Sequence, residues 1–180
     1  MRRIKTTVLA VMALALAASA ALAGAPPPAK PVTADFYSGR WYEIARTPNF
    51  GQRDCEAPTT DFTAPDSSAK DGASFKVLQT CRRGGPHGTE KVFTTTGRII
   101  DGSQNTRFTM SFLGGLRKQE YWVLDCANDH SWAIMATPGG NYVWLISRKP
   151  DMPAATKAVA IERVKALGYE KLEYPEHPAV

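Results

Sequence analysis

Two short apolar runs, Trp132 to Ala136 and Tyr142 to Ile146, flank Thr137-Pro138-Gly139-Gly140-Asn141, and this hairpin limits the fold more than any other stretch of the chain. A turn centred on Gly139-Gly140 sets Thr137 opposite Tyr142, Met135 opposite Trp144 and Ala133 opposite Ile146. Residues opposite one another in an antiparallel pair point to the same face. Met135, Tyr142, Trp144 and Ile146 therefore share one face, and Trp132, Ile134, Val143 and Leu145 share the other. Both faces are apolar, so neither can lie bare against water. A closed barrel satisfies this, with its interior on one side and a helix packed outside on the other. A helical stretch after Pro153 fits that role: Ala160, Ile161, Val164 and Leu167 fall on one face, and Gly168 is placed to end it. A two-sheet sandwich would leave this helix without a place.

The rest of the chain supplies the other strands. Runs rich in β-formers at 40–47, 55–65, 73–82, 90–100, 106–113, 119–126, 131–137 and 141–148 alternate with turn chemistry. The breaks include Asp71-Gly72, Asp101-Gly102, Gly114-Gly115 and Asn128-Asp129. The expected fold is all-β, an eight-stranded up-and-down antiparallel barrel with one C-terminal helix outside. Pro58 falls inside the second strand and predicts a bulge or an irregular edge there.

The N-terminus reads as a cleaved signal peptide over residues 1–23. Arg2, Arg3 and Lys5 precede an apolar run from Val8, and Ala21-Leu22-Ala23 suits cleavage before Gly24. The first cysteine is Cys55, so no lipidation cysteine stands at the cut, and a soluble periplasmic or secreted protein is expected. Residues 24–35 are a stiff, proline-rich lead-in outside the core, and residues 36–180 form the domain. The leader carries three basic residues and no acidic ones, so the remaining 157 residues have a net charge of +2, too small to argue for nucleic acid.

Three segments carry a family resemblance. Gly39-Arg40-Trp41-Tyr42-Glu43-Ile44-Ala45-Arg46 resembles the Gly-x-Trp opening of lipocalins. Asn128-Asp129 before Ser131-Trp132-Ala133-Ile134 resembles their second signature turn, and the run from Tyr142 through Arg148 to Pro150 their third. The order of the three, with a helix after the last, is similar to the branch of bacterial outer-membrane lipocalins and apolipoprotein D. The resemblance implies that Gly39 and Trp41 sit at a closed end, with Arg148 packed across the indole. It also implies a small hydrophobic ligand in the lumen, such as a fatty acid or lysophospholipid, and a role for the carrier in envelope lipid maintenance.

By alternation Phe108, Met110, Phe112, Trp122, Leu124, Met135, Tyr142, Trp144 and Ile146 are expected to face inward, either filling the core or lining a ligand site. If the first strand ends at the mouth, Arg53, Arg82, Arg83, Arg117 and Lys118 form a basic rim, with Asp54, Glu56, Glu90 and Glu120 close by. Leu113 and Leu116, in a Gly-rich mouth loop, fit either a lip in transient contact with a membrane or part of a protein-binding patch. Cys55 starts one strand and Cys81 ends the next, which places them almost opposite and predicts a disulfide; whether they share a face turns on the bulge at Pro58. Cys126 is expected to be free and to share inward parity with Leu124.

No chemistry is expected. His87, His130 and His177 are too scattered to hold a metal, and neither Gly-x-Ser-x-Gly nor a phosphate loop is present. No cofactor is implied. The alternatives to a carrier are a barrel enzyme acting on a lipophilic ligand and a protein-interaction scaffold with a filled barrel.

Overall fold

The structure is a computed structural model that describes residues 24–66 and 73–178. The leader, and the break expected at Asp71-Gly72, lie outside the described residues. Eight strands, β1 (Gly39–Arg46), β2 (Glu56–Phe62), β3 (Ser74–Arg83), β4 (Thr89–Ile99), β5 (Arg107–Phe112), β6 (Arg117–Cys126), β7 (Trp132–Ala136) and β8 (Val143–Ser147), close into a barrel in chain order. Each pairs antiparallel with its neighbours, and β8 returns to β1. The helix α1 (Ala154–Ala166) follows β8.

The β7–β8 hairpin has the register that its turn dictates, with Met135 opposite Trp144 and Ala133 opposite Ile146. Its two faces feed two separate cores. Ala133, Met135 and Ile146 belong to the interior cluster. Trp132, Ile134, Val143 and Leu145 pack outside the barrel against Ala160, Ile161 and Val164 of α1. Each large side chain buried there contributes roughly 1.5–3 kcal/mol, which a 13-residue helix without a side-chain cap needs. Gly168, at φ +95°, lets the chain turn away from the helix end.

The lead-in does not stay outside the core as its prolines suggest. Ala25 N–H donates to the Pro138 carbonyl (2.9 Å), Ala29 N–H to Leu124 (2.8 Å) and Val32 N–H to Gln104 (3.2 Å). The segment thus runs down the outer wall, and Val32 is buried in the interior cluster. A 3-10 turn, Ala34–Tyr37, then drives Phe36 and Tyr37 into the closed end beside Trp41. Proline's missing N–H costs little here, because the residues that flank the prolines make the wall contacts.

The Arg148 guanidinium lies 3.7 Å above the Trp41 ring. It donates to the carbonyls of Ser38 (2.6 Å) and Phe36 (3.2 Å), so one side chain ties β8 to the 3-10 turn and to β1. The cation–π contact and the charged hydrogen bonds together predict that Arg148→Ala costs on the order of 2–4 kcal/mol. Urea denaturation checks this. A variant as stable as the parent would show that the closed end does not depend on this residue.

Candidate functional site

The lumen is half filled. Tyr37 stacks on Phe75 with ring centroids 4.8 Å apart and meets Phe62 and Phe108 edge-on, and all four are buried. Gly97 permits this floor: a Cβ there would fall 2.3 Å from the Phe75 ring. Above the floor the barrel opens into a cavity of about 530 Å³, within the range of small-molecule sites.

The cavity has two unlike walls. Met110 and Phe112 from β5, Tyr121 from β6, Met135 from β7, and Trp144 and Ile146 from β8 make one side apolar. Thr60 and Gln79, from β2 and β3, make the other polar. Phe108 lies where the floor meets the apolar wall.

Three residues expected to face inward do not line the cavity. β6 carries a bulge: Val123 pairs with Met135, but the next pair is Asp125 with Ile134. Leu124 is the extra residue, and it turns to the outer cluster together with Trp122. Trp122 lies beneath the Arg107 guanidinium and donates its indole N–H to Glu120. Beyond the bulge Cys126 still points inward, so counting by twos back from Cys126 crosses the irregularity and selects the wrong face. The true inward residues are Tyr121 and Val123. Opposite-pair logic applied to the β5–β6 hairpin finds them, because Phe108 pairs with Tyr121. Tyr142 precedes β8 at the rim and is 39% exposed, its ring 6.1 Å from that of Trp144.

A buried ion pair stands at the mouth, and alternation from Trp41 could have placed its carboxylate, Glu43, on the inward face. Glu43 faces the cavity, and its carboxylate accepts from Arg46 Nη1 (2.8 Å) and Gln52 Nε2 (2.7 Å). Gln52 Oε1 in turn accepts from Asn49 (2.8 Å) and from the Trp144 indole N–H (2.8 Å). Arg46 also donates to the carbonyls of Gln52 and Cys55 and to Glu173. Burial pushes the Glu43 carboxyl up, against the pull of Arg46 and Gln52. The network holds the loop 47–55 across part of the opening.

A Cys55–Cys81 disulfide fastens the same loop to β3, with Cα atoms 5.3 Å apart. The bulge at Pro58 settles the question of faces. The register slips between Glu56 and Thr59, Ala57 sits at φ +46°, and both cysteines line the cavity. Cys126 is free and buried, and burial pushes its thiol up.

Of the basic residues, Arg53 and Arg83 border the cavity, joined by Lys91 from β4, which sequence reading passed over. Arg117 and Lys118 are exposed at the start of β6. Arg82 points away from the lumen and pairs with Glu90 (2.9 Å). Among the described residues no three His, Cys, Asp or Glu side chains converge as metal ligands. His130 sits at the closed end against Phe36, and His177 packs on the outer wall. No helix among the described residues is long and apolar enough to cross a membrane.

Comparison with known proteins agrees with this architecture. The family described as Lipocalin-like domain matches residues 32–177. The outer membrane lipoprotein Blc of Vibrio cholerae is 28% identical over 154 residues, covering 82% of this chain and 84% of that protein. Temperature-induced lipocalin-1 of Arabidopsis thaliana is 26% identical over 160 residues, covering 78% and 76%. Among solved structures, insecticyanin from the tobacco hornworm Manduca sexta superposes with a TM-score of 0.63 at 18% identity, covering 84% of each chain. Lobster apocrustacyanin A1 gives 0.58 at 12% identity, covering 88% and 93%. At these identities the structural likeness speaks to the fold alone.

The mouth is also braced from outside by the C-terminal segment. Glu173 bridges to Arg46 (3.1 Å), Ala57 N–H donates to the Glu176 carbonyl (2.8 Å), and the His177 ring nitrogen lies 2.8 Å from the Glu43 carbonyl oxygen. Burial holds the His177 pKa below the ordinary histidine value. The fold therefore favours the neutral ring: its contribution is complete above the ordinary value and is lost as pH falls through the folded one. Acidification from neutral pH to 5 should loosen this segment. Hydrogen exchange at the Ala57 amide, corrected for intrinsic rate, should accelerate in the parent, and His177→Gln should remove that component. An equal acceleration in the variant would assign the effect to another group.

Proposed function

This chain belongs to the lipocalin family, whose members bind small hydrophobic ligands, and on that footing we propose that it carries a single-chain anionic amphiphile, a fatty acid or lysophospholipid, in the upper half of its barrel. The observation that carries the reading is the cavity's two-sided lining above an aromatic floor, with cations at its opening. An acyl chain lies against Met110, Phe112, Tyr121, Met135, Trp144 and Ile146, and its carboxylate or phosphate meets Arg53, Arg83 and Lys91. Glu43 does not oppose an anion there, because Arg46 and Gln52 already occupy its oxygens. Methionines and aromatic rings suit a flexible chain. We assign no chemistry to Cys126 or to the histidines.

The same reading puts the protein, freed of residues 1–23, in the periplasm or the medium. The Cys55–Cys81 bridge is in keeping with an oxidising compartment, and the name of the Vibrio relative associates that protein with the outer membrane. A lipid carrier in that space would serve envelope lipid maintenance.

The floor makes the proposal quantitative. Each methylene buried contributes roughly 0.8 kcal/mol before ordering costs, so affinity should climb with chain length and then stop where the chain meets Phe108 and Tyr37. Titrating fatty acids of graded length against tryptophan fluorescence tests this, with Trp144→Phe identifying the reporter. Met110→Arg should abolish binding while the far-ultraviolet circular dichroism stays that of the barrel. Affinity independent of length, together with undiminished binding by Met110→Arg, would remove the lumen as the site.

A further inference from the structure

The three most exposed large apolar side chains among the described residues are Leu116 (90%), Phe50 (83%) and Leu113 (74%). All three stand at the mouth end. Phe50 caps the loop between β1 and β2, and Leu113 and Leu116 flank Gly114-Gly115 in the β5–β6 turn. Leu113 is doubly costly. Its φ of +52° lies in the left-handed region that favours glycine or asparagine, and its side chain gains no burial in return.

The surroundings point to what repays that cost. Arg53, Arg83, Lys91, Arg117 and Lys118 stand exposed around these tips, and none has an ion-pair partner among the described residues. With Glu90 engaged by Arg82, and Arg46 able to neutralise only one of Glu43 and Glu173, the acidic groups left nearby are Asp54, Glu56, Glu120 and Glu173, so the five cations of the rim keep an excess of one positive charge. β4 pairs with β5 only from Gly97 to Ile99, which leaves the first half of β4 without a strand on that side. Phe93, on that half, stacks on Phe112 with centroids 5.5 Å apart, and both line the cavity. Apolar surface therefore runs from the lumen through this notch to the leucine tips.

We propose that the mouth end docks on an anionic lipid bilayer. Phe50, Leu113 and Leu116 enter the interface between headgroups and acyl chains, while the surrounding lysines and arginines meet lipid phosphates. Separate apolar tips set among unpaired cations match a bilayer, which accepts scattered insertions and attracts each cation on its own. A protein partner would call for one contiguous packed patch depleted of charge at its centre. Docking in this pose turns the opening of the cavity, and the notch beside it, toward the membrane.

Co-sedimentation with vesicles tests the proposal. The full chain should bind vesicles that mix phosphatidylglycerol into phosphatidylcholine, bind pure phosphatidylcholine much less, and lose affinity as salt rises. Leu116→Ser combined with Leu113→Asn should weaken binding by roughly tenfold or more. Asparagine tolerates the positive φ at 113, so the turn is kept. Lys118→Gln should weaken binding about fivefold. In the leucine variant, fatty-acid titration in the absence of vesicles should be unchanged, which separates a failure of docking from a failure of the carrier reading. No binding to anionic vesicles, or equal binding by the leucine variant, overturns the proposal. So does a dimer in sedimentation equilibrium that the leucine variant dissolves, since the lip would then be a contact between copies of this chain.

Discussion

One guanidinium holds the closed end together. Arg148 covers the Trp41 ring and draws in the carbonyls of Phe36 and Ser38, so the chain before β1 must turn into the barrel rather than away from it. With Phe36 and Tyr37 in place, Phe62, Phe75 and Phe108 close around them as a solid aromatic floor. The candidate site lies between that floor and the mouth. The burial that lowers the pKa of Arg148 does not endanger its charge, since arginine remains protonated at any pH the fold survives.

At the mouth the structure uses buried charge where the floor uses rings. The Glu43–Arg46 pair is a poor source of net stability, because desolvating both ions offsets most of their attraction. Its value is geometric. Two buried ions demand all their hydrogen bonds, and the partners they recruit are Gln52, the Cys55 carbonyl and Glu173. Those partners fix the loop 47–55 and the C-terminal segment at once, and through Gln52 they fix the Trp144 indole on the cavity wall. The charge of Glu43 beside the lumen is thereby neutralised from within the fold, and the cations left at the rim outnumber its carboxylates by one.

Much of this was legible in the residues, and the misses share a cause. The β7–β8 hairpin could be read face by face because a short turn fixes its register and both strands are regular. Pro58 announced the bulge in β2, since a residue without an N–H cannot sit in an unbroken ladder. Nothing of the kind announces the bulge in β6, where Leu124 is an ordinary strand residue, and alternation therefore puts Trp122 and Leu124 on the wrong face. A period of two carries no memory across an inserted residue. Glu43 could have been placed by counting from Trp41, but a carboxylate on an inward position makes sense only once Arg46 is brought beside it by a register shift in β1. The docking of the lead-in is hidden for a different reason: its prolines describe the stiffness of a chain and say nothing about where that chain docks.

In a barrel of fixed strand number the width of the lumen is set by closure. Its usable depth depends on what stands at the bottom. Here that is Tyr37, which no strand contributes and whose hydroxyl donates to the Asn105 carbonyl (2.5 Å). Phe75 can lie flat beneath it only because Gly97 has no side chain to meet the ring. A larger residue at 97, or a smaller one at 37, would change the depth of the cavity without altering a single strand register. Cavity depth and barrel architecture are therefore specified by different residues. The first can drift in evolution while the second, held by the β1–β8 seam and by Arg148 over Trp41, stays as it is.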